Sequence, residues 1–385
     1  MENLHEKVKC TLIIFALLIS LSAALPTAMV VAKGFEPLLF VQPLSVSDSG
    51  APPFTPQQIW KAYDFEPLLN AGFKGKGQVI AIVDAYGSKS ITTDVAKFCS
   101  QFGLPPVNLK IYYPDGKPRA SNRNWAIETT LDVEWAHAIA PEAAIALVIA
   151  YDNSFQHMYN AISYAVNNVA GVTVLSMSFG ALESDFPTTG AYTISAHHSL
   201  FVTAAGKGIS LFASSGDNGA TTANDVIYPA SDPLVTAVGG TSLYLNKDGS
   251  YKSETTWSGS GGGASKDFTE PDYQATVGDN MRDIADVAYD GDPNTGFYVY
   301  YQSQWYMVGG TSAGAPQWAA LFTIAVQYKN HTFGDANPEL YGISSKNVYH
   351  DITTGSNGYY TAGQGWDYPT GWGTPDAYQV VTNLP

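Results

Sequence analysis

The sequence predicts an α/β fold in which a mostly parallel sheet is covered by helices on both faces. Continuous apolar runs of strand length, typical of fully buried strands, alternate with apolar or amphipathic runs of helical length. The strand-like runs are residues 78–84, 144–150, 172–178 and 209–215, and the helix-like runs are 126–139, 155–166 and 317–328. Such alternation is typical of parallel strands joined by helical crossovers. We expect residues 54–385 to form one large domain of this class.

Polar residues lie at or just beyond the carboxyl ends of three of these predicted strands. Asp84 ends the first strand, Ser178 ends the third, and Asp217 lies just beyond the last. Because ligands of such sheets bind beyond the carboxyl ends of the strands, we expect a functional site at this edge.

The composition argues against nucleic acid as a partner and favours an acidic medium. The chain has 385 residues with 19 basic and 34 acidic side chains, a net charge of −15, and no basic cluster. Nucleic acid is therefore not an expected partner. Charged residues make up only 14% of the chain, against roughly a quarter in average proteins. A sparse and acidic charge set suits an acidic medium, in which carboxylates are neutralised.

The N-terminal residues resemble a targeting segment. Lys7 and Lys9 precede an uncharged apolar run over residues 10–32 that ends in small residues, which is typical of a cleaved signal peptide. An uncleaved anchor is the alternative, because the run is long enough to span a bilayer. Either reading predicts a secreted or extracellular protein. Residues 33–53 are rich in Pro, Ser and Gly and are interpreted as a linker or a short propeptide remnant.

Cysteine usage indicates no intrachain disulfide. Of the two cysteines, Cys10 lies in the leader, so Cys99 would have no partner within the mature chain. We expect Cys99 to be a small buried hydrophobic residue.

Ser312 lies in the segment most indicative of chemistry. It follows a glycine-rich turn at residues 309–310 and precedes an apolar helical run. Backbone N–H groups are free at a helix N-terminus, and the helix dipole there favours negative charge. An acyl-transfer nucleophile needs this environment, because an oxyanion must form beside it.

A candidate base for Ser312 lies on the predicted helix 126–139. Glu128 and Asp132 are four residues apart, so both project from one face. We interpret them as a buried carboxyl pair that shares a proton, with a solvated helix face as the alternative. Glu134 is expected at the surface. His137, on the same helix, is a rival base for a Ser-His-Asp scheme.

Six segments together resemble the sedolisin family of serine-carboxyl peptidases, and they occur in the family's order. They are residues 128–141, 176–180, 215–219, 228–233, 310–316 and 363–367. The resemblance implies a subtilisin-like fold and hydrolysis of polypeptides. It implies Ser312 as nucleophile, Glu128 as base, Asp132 as the partner of that base, and Asp217 as the acid that stabilises the oxyanion.

The physical chemistry of these roles predicts activity in acid. Glu128 would take the Ser312 proton and return it to the leaving amine. Asp217 donates a hydrogen bond to an oxyanion only while it is protonated, so its pKa must be raised. We therefore expect an acid-active, monomeric endopeptidase. A tripeptidyl exopeptidase of the same family, a catalytically silent binding module and a neutral hydrolase based on His137 are the alternatives.

Two further residues lie in sequence patterns that are similar to those of catalytic residues. Ser242 follows a second Gly-Gly-Thr string, but a strand pattern comes after it instead of a helix, so it is interpreted as structural. Asp84 ends a strand as the catalytic aspartate of subtilisins does, and we interpret it as structural or site-shaping.

The sequence also predicts a calcium site and a strand along which the substrate binds. A glycine-rich set of oxygen ligands suits one structural Ca²⁺, and the resemblance assigns it to Asp351, Ile352, Gly363, Gly365 and Asp367, with the isoleucine and both glycines acting through their carbonyls. Ser178, Phe179 and Gly180 are expected to line the cleft, where an extended substrate adds as an edge strand.

Overall fold

The computed structural model describes residues 34–44, 53–223, 226–278 and 280–385. Lys33–Pro385 forms one compact unit. The predicted signal peptide or anchor at residues 1–32 lies outside the described residues. No helix within the described ranges is long and apolar enough to cross a membrane.

The described residues alternate between strands and helices in the predicted manner. The strands are β1 (Glu36–Pro37), β2 (Phe40–Pro43), β3 (Val79–Ala85), β4 (Asn108–Tyr112), β5 (Ala144–Ala150), β6 (Val172–Met177), β7 (Phe179–Leu182), β8 (Ser210–Ser214), β9 (Ile227–Tyr228), β10 (Val235–Leu245), β11 (Tyr251–Thr256), β12 (Gly263–Thr269), β13 (Met281–Ile284), β14 (Val287–Asp290), β15 (Phe297–Tyr301), β16 (Gln304–Gly309), β17 (Tyr349–His350) and β18 (Thr374–Pro375). The helices are α1 (Pro56–Ala62), α2 (Glu66–Asn70), α3 (Ile91–Phe102), α4 (Arg123–Ile139), α5 (Phe155–Asn168), α6 (Ile194–Gly206), α7 (Gly314–Lys329), α8 (Asn337–Gly342) and α9 (Ala377–Asn383).

A central sheet of eight strands organises the molecule. Its order is β11-β10-β8-β6-β3-β5-β4, and β14 also pairs with β10. All neighbouring pairs are parallel except β10 with β11. The predicted α/β class with a mostly parallel sheet is confirmed. The carboxyl ends of β3, β6 and β8 meet at one edge, as the sequence predicted.

Helices cover both faces of this sheet, and β3 shows how the sequence achieves this. Ile80 and Ile82 belong to the apolar cluster that contains residues of α4 and α7. Ala81 and Val83 belong to the opposite cluster, with residues of α5 and α6. Side chains alternate between the two faces of a strand, so a strand covered on both faces must be apolar throughout. Each fully buried Ile or Val contributes about 1.5–3 kcal/mol.

Helix α4 carries the predicted acidic pair and is buried on all sides from Trp125 to Ile139. Its cap is Asn122, whose side chain accepts from the N–H groups of Asn124 and Trp125. The prediction that Glu134 lies at the surface is wrong. Glu134 is fully buried and accepts a hydrogen bond from the Tyr300 N–H at 3.1 Å, because β15 packs over this face of the helix.

The segment interpreted as a linker, residues 33–53, differs from that interpretation in its described part. Residues 36–37 form β1, which pairs antiparallel with β7, and residues 40–43 form β2, which pairs antiparallel with β16. Each of these strands contains one proline and lies at the edge of its sheet, where the missing N–H of proline is tolerated. Cys99 is buried and free, as predicted.

Candidate active site

Ser312 lies in a single 3₁₀ turn, Thr311–Ala313, between β16 and α7. The preceding Gly310 has a φ of 115°, a conformation that side chains rarely adopt. A Cβ on Gly310 would collide with the Leu38 carbonyl oxygen and lie 2.6 Å from Asp217 Oδ2. This turn aims the Ser312 N–H at the Leu38 carbonyl oxygen, 3.2 Å away, and the Ser312 hydroxyl donates to the Ser178 carbonyl at 3.1 Å.

Three carboxyl groups meet beside Ser312, all of them fully buried. Glu128 and Asp132 come from α4, and Asp84 comes from the end of β3. Burial, followed by the charges of Asp132 and Asp84, raises the pKa of Glu128 well above its usual value. Burial and the charge of Asp84 do the same to the pKa of Asp132, and burial raises the pKa of Asp84 to about 7. Such a cluster cannot ionise completely, so it retains protons.

Hydrogen bonds orient this cluster toward the serine. The Ser178 hydroxyl donates to Asp132 Oδ1 at 2.9 Å. Contact with Glu128 favours the charged form of Asp132, and contact with the Ser312 hydroxyl favours the charged form of Glu128. Among the described residues, both Glu128 oxygens are buried without a hydrogen bond of good geometry. Glu128 therefore has free acceptor capacity beside the Ser312 hydroxyl.

Asp217 follows β8 and faces the same turn from the other side. Its Oδ1 accepts from the Thr311 N–H at 2.7 Å and from the Thr311 hydroxyl at 2.8 Å. Its Oδ2 is buried and has no hydrogen-bond partner among the described residues. Burial raises the pKa of Asp217 to about 6. Below that pH, Asp217 is a neutral acid whose free oxygen can carry a proton next to the Leu38 carbonyl.

Of the predicted substrate residues, Gly180 lines a cavity, whereas the side chains of Ser178 and Phe179 are fully buried. Ser178 precedes β7, and Phe179 and Gly180 begin it. A cavity of about 360 Å³ lies beside this strand, with Gly180, Asp217 and Gly262 among its lining residues. An extended segment adds antiparallel to Phe179 and Gly180, and in this structure that segment is β1 of the chain itself.

The other catalytic candidates in the sequence, Ser242, His137 and Asp84, have different surroundings from one another. Ser242 lies on β10, as its sequence pattern predicts, and its hydroxyl donates to Asp292 Oδ2 at 2.6 Å. His137 Nε2 donates to the Pro105 carbonyl at 2.7 Å, and burial lowers the pKa of His137. Asp84, interpreted as structural or site-shaping, belongs to the carboxyl cluster itself. Only its position at a strand end hinted at this role.

The predicted calcium ligands lie in one loop region. The Gly365 N–H donates to Asp351 Oδ2 at 3.0 Å, and the Gly363 N–H donates to Asp367 Oδ2 at 2.9 Å. Burial, with a contribution from the charge of Asp351, raises the pKa of Asp367 to about 6. Two neighbouring carboxylates and backbone carbonyls, including that of Ile352, fit the oxygen preference of Ca²⁺. In the described ranges, no group of three or more His, Cys, Asp or Glu side chains could hold a metal ion.

Comparison with known proteins identifies the family of the chain. Residues 121–373 match the subtilase family, Peptidase_S8. The chain is 33% identical to kumamolisin of Bacillus sp. (strain MN-32) over 88% of its length and 65% of that protein. It is 31% identical to sedolisin of Pseudomonas sp. (strain 101) over 77% of its length and 56% of that protein. Tripeptidyl-peptidase 1 of Dictyostelium discoideum is 28% identical, over 86% of this chain and 59% of that protein.

A solved structure is also similar, that of Pseudomonas sedolisin, a serine-carboxyl proteinase, complexed with two molecules of pseudo-iodotyrostatin. Its TM-score is 0.77 at 28% identity, over 87% of this chain and 98% of that chain. By contrast, this chain spans less than two thirds of the length of the three curated relatives.

Proposed function

Because this chain belongs to the subtilase family and, within it, to the sedolisin group, we propose that it is a secreted, acid-active serine-carboxyl endopeptidase. One observation carries the proposal. The Ser312 N–H donates to the Leu38 carbonyl oxygen, and that oxygen and the unpartnered Asp217 Oδ2 both lie against Gly310, beside a serine hydroxyl that contacts a buried carboxyl cluster. Acyl transfer requires this combination of nucleophile, base and oxyanion donors.

In the proposed reaction, a peptide lies along β7 with one carbonyl oxygen between the Ser312 N–H and Asp217. Glu128 takes the Ser312 proton as the hydroxyl attacks the carbonyl carbon, and then gives that proton to the leaving amine. Asp132 holds Glu128 in place and is itself held by the Ser178 hydroxyl. Water then attacks the acyl-enzyme: Glu128 takes a proton from the water as its oxygen bonds to the acyl carbon, the bond from that carbon to Ser312 Oγ breaks, and Glu128 gives the proton to Oγ.

The titration of these groups supports an acidic optimum. Asp217 donates a hydrogen bond only while protonated, so activity falls as the pH rises through its pKa of about 6. The Glu128 cluster needs one ionised carboxylate to act as a base, so activity also falls when the cluster becomes fully protonated. The pH–rate profile is therefore bell-shaped and lies on the acid side of neutrality.

The length of the cleft favours endopeptidase over tripeptidyl-peptidase action. Counted back from Leu38 as the first, the residues stay in contact with the cleft at the fourth position, Phe35, and at the fifth, Gly34. Phe35 is held by backbone hydrogen bonds, and Gly34 bridges to Ser154. An enzyme that removes tripeptides needs the cleft to close after three residues.

The proposal extends to one structural calcium ion held by Asp351 and Asp367 and by the carbonyls of Ile352, Gly363 and Gly365, where the ion would neutralise the paired carboxylates.

The pH dependence of hydrolysis tests the proposal. The rate on acid-denatured protein is measured from pH 2 to 9 for the wild type and for Ser312→Ala. We expect a maximum below pH 6 that the variant loses. A neutral or alkaline maximum, or a variant as active as the wild type, would contradict the serine-carboxyl mechanism.

A further inference from the structure

Residues 215–220 form a loop, here called the Asp217 loop, that carries the acid proposed to stabilise the oxyanion. On the proposed function, we propose that Asn357 is a positioning residue for Asp217. Asn357 holds the backbone on both sides of Asp217 and thereby fixes the direction of the free carboxyl oxygen.

The Asp217 loop depends on a neighbouring segment for its shape. It follows β8 and contains two glycines with positive φ, Gly216 at 123° and Gly219 at 64°, so it has little conformational preference of its own. The Gly216 carbonyl accepts the Gly261 N–H, and the Gly219 N–H donates to the Gly259 carbonyl, both at 2.9 Å. The position of the loop is therefore set by whatever holds residues 259–261, here called the glycine segment.

Asn357 contacts both the Asp217 loop and the glycine segment. Its backbone carbonyl accepts the Ala220 N–H at 2.9 Å, and its side-chain amide donates to the Ser260 carbonyl at 3.0 Å. Its side-chain oxygen accepts the Tyr360 N–H at 3.0 Å, which fixes the orientation of this buried amide. One residue thus holds the loop after Asp217 directly, and before Asp217 through the glycine segment.

Close packing prevents these segments from moving independently. A Cβ on Gly219 would collide with the Asn357 carbonyl oxygen, and a Cβ on Gly261 would collide with the Ser215 carbonyl oxygen. The Ser215 hydroxyl also donates to the Gly261 carbonyl at 3.0 Å. Because densely packed interiors transmit strain, loss of the Asn357 amide should shift the Asp217 loop.

The direction of the free carboxyl oxygen depends on the backbone of this loop. Thr311 holds only Oδ1 of Asp217, through its N–H at 2.7 Å and its hydroxyl at 2.8 Å. Oδ2 has no hydrogen-bond partner among the described residues, so no contact of its own directs it. An oxyanion donor contributes through its preorganised geometry in the transition state. We therefore expect Asn357 to affect kcat and to leave KM nearly unchanged.

Asn337 is a matched control in a different part of the fold. It is also buried, and its side-chain amide donates to the Pro233 and Val235 carbonyls, both at 3.1 Å. Its side-chain oxygen accepts the Thr236 hydroxyl at 2.7 Å. In the described part of the chain, no hydrogen bond of the Asn337 side chain reaches the Asp217 loop. Asn337→Ala therefore removes similar bonds without disturbing Asp217.

A double-mutant cycle tests the inference. kcat and KM are measured at pH 4 on one peptide substrate for the wild type, Asn357→Ala, Asn337→Ala, Asp217→Ala and Asn357→Ala/Asp217→Ala. The cycle compares the effect of Asn357→Ala in the presence and in the absence of the group that it is proposed to position.

Two additions separate positioning from misfolding. Asn357→Ser is also assayed, because a serine hydroxyl can still accept the Tyr360 N–H but is too short to reach the Ser260 carbonyl. Urea unfolding of each variant is followed in the Ser312→Ala background, which prevents self-digestion, and every kcat is normalised to the folded fraction.

We expect kcat of both Asn357 variants to fall about 10- to 100-fold, with KM within about 3-fold of the wild type. kcat of Asn337→Ala should stay within about 3-fold. In the Asp217→Ala background, Asn357→Ala should lower kcat less than about 3-fold, because the group that it positions is gone.

An equal loss from Asn357→Ala in both backgrounds, a loss confined to KM, or a loss in Asn337→Ala as large as in Asn357→Ala would overturn this inference. So would Asn357 variants with kcat within about 3-fold of the wild type. Each of these results leaves the proposed function intact. Absence of any Ser312-dependent hydrolysis by the wild type would overturn both.

Discussion

Replacing Asp217 by asparagine separates the shape of this side chain from its titration. The amide keeps an oxygen that can accept from the Thr311 N–H and hydroxyl, as Asp217 Oδ1 does at 2.7 and 2.8 Å. Its NH₂ group takes the place of Oδ2 and donates at every pH. In the wild type the same donor exists only below the pKa of about 6. The variant should therefore remain active at a pH where the wild type has lost its oxyanion donor.

The raised pKa of Asp217 also makes the free energy of unfolding depend on pH. Between the ordinary aspartate value of 3.8 and the folded value of about 6, the unfolded chain releases this proton while the folded chain keeps it. The free energy of unfolding therefore falls as the pH rises through this interval and becomes constant above it. The difference between the two pKa values corresponds to about 3 kcal/mol. Asparagine does not titrate, so Asp217→Asn should remove this part of the pH dependence.

Two assays measure these effects. kcat/KM is determined from pH 3 to 8 for the wild type, Asp217→Asn and Asp217→Ala. Urea unfolding is followed at pH 4 and pH 7 for Ser312→Ala and Ser312→Ala/Asp217→Asn, because the serine substitution prevents self-digestion. At pH 4 we expect Asp217→Ala to lose about 10²–10³-fold in rate and Asp217→Asn to lose less. An alkaline limb of Asp217→Asn that coincides with that of the wild type, together with unchanged pH dependence of unfolding, would refute the role of Asp217 as a protonated donor.

Three further outcomes are expected. Asp84→Asn should leave the acid limb of the kcat/KM profile at the pH of the wild type, because Asp84, with a pKa raised to about 7, already carries its proton there; a limb shifted to lower pH would contradict this. Glu134→Gln should keep kcat/KM at pH 4 within about 3-fold, because the amide oxygen can still accept from the Tyr300 N–H, and a large loss would assign Glu134 to the catalytic groups. A chelator should lower the melting temperature of the wild type and leave that of Asp367→Asn unchanged; equal responses in calorimetry would argue against calcium at this loop.

Local patterns in the sequence were sufficient for the parts of the site that local geometry determines. The i, i+4 spacing of Glu128 and Asp132 defines one helix face wherever the helix lies. The glycine-rich turn before α7 fixes the Ser312 N–H by itself. The continuous apolar strands predicted a sheet covered on both faces, and the structure confirms it.

What the sequence could not predict depends on contacts between distant elements. Asp84 joins the carboxyl cluster only because β3 is central in the sheet and ends beneath α4. Glu134 is buried because β15 supplies the Tyr300 N–H from 166 positions away. Residues 34–44 have the composition of a linker, and only their partner strands β7 and β16 turn them into β1 and β2.

The identity of the base is the central claim, and the comparison of Glu128→Gln with His137→Ala tests it most directly. Both side chains lie on α4 and both are buried, but Glu128 contacts Ser312 whereas His137 hydrogen-bonds Pro105. With kcat measured at pH 4 on one peptide substrate, we expect Glu128→Gln to lose about 10²–10⁴-fold and His137→Ala to stay within about 3-fold of the wild type. A large loss in His137→Ala alongside an active Glu128→Gln would contradict the carboxyl-assisted mechanism.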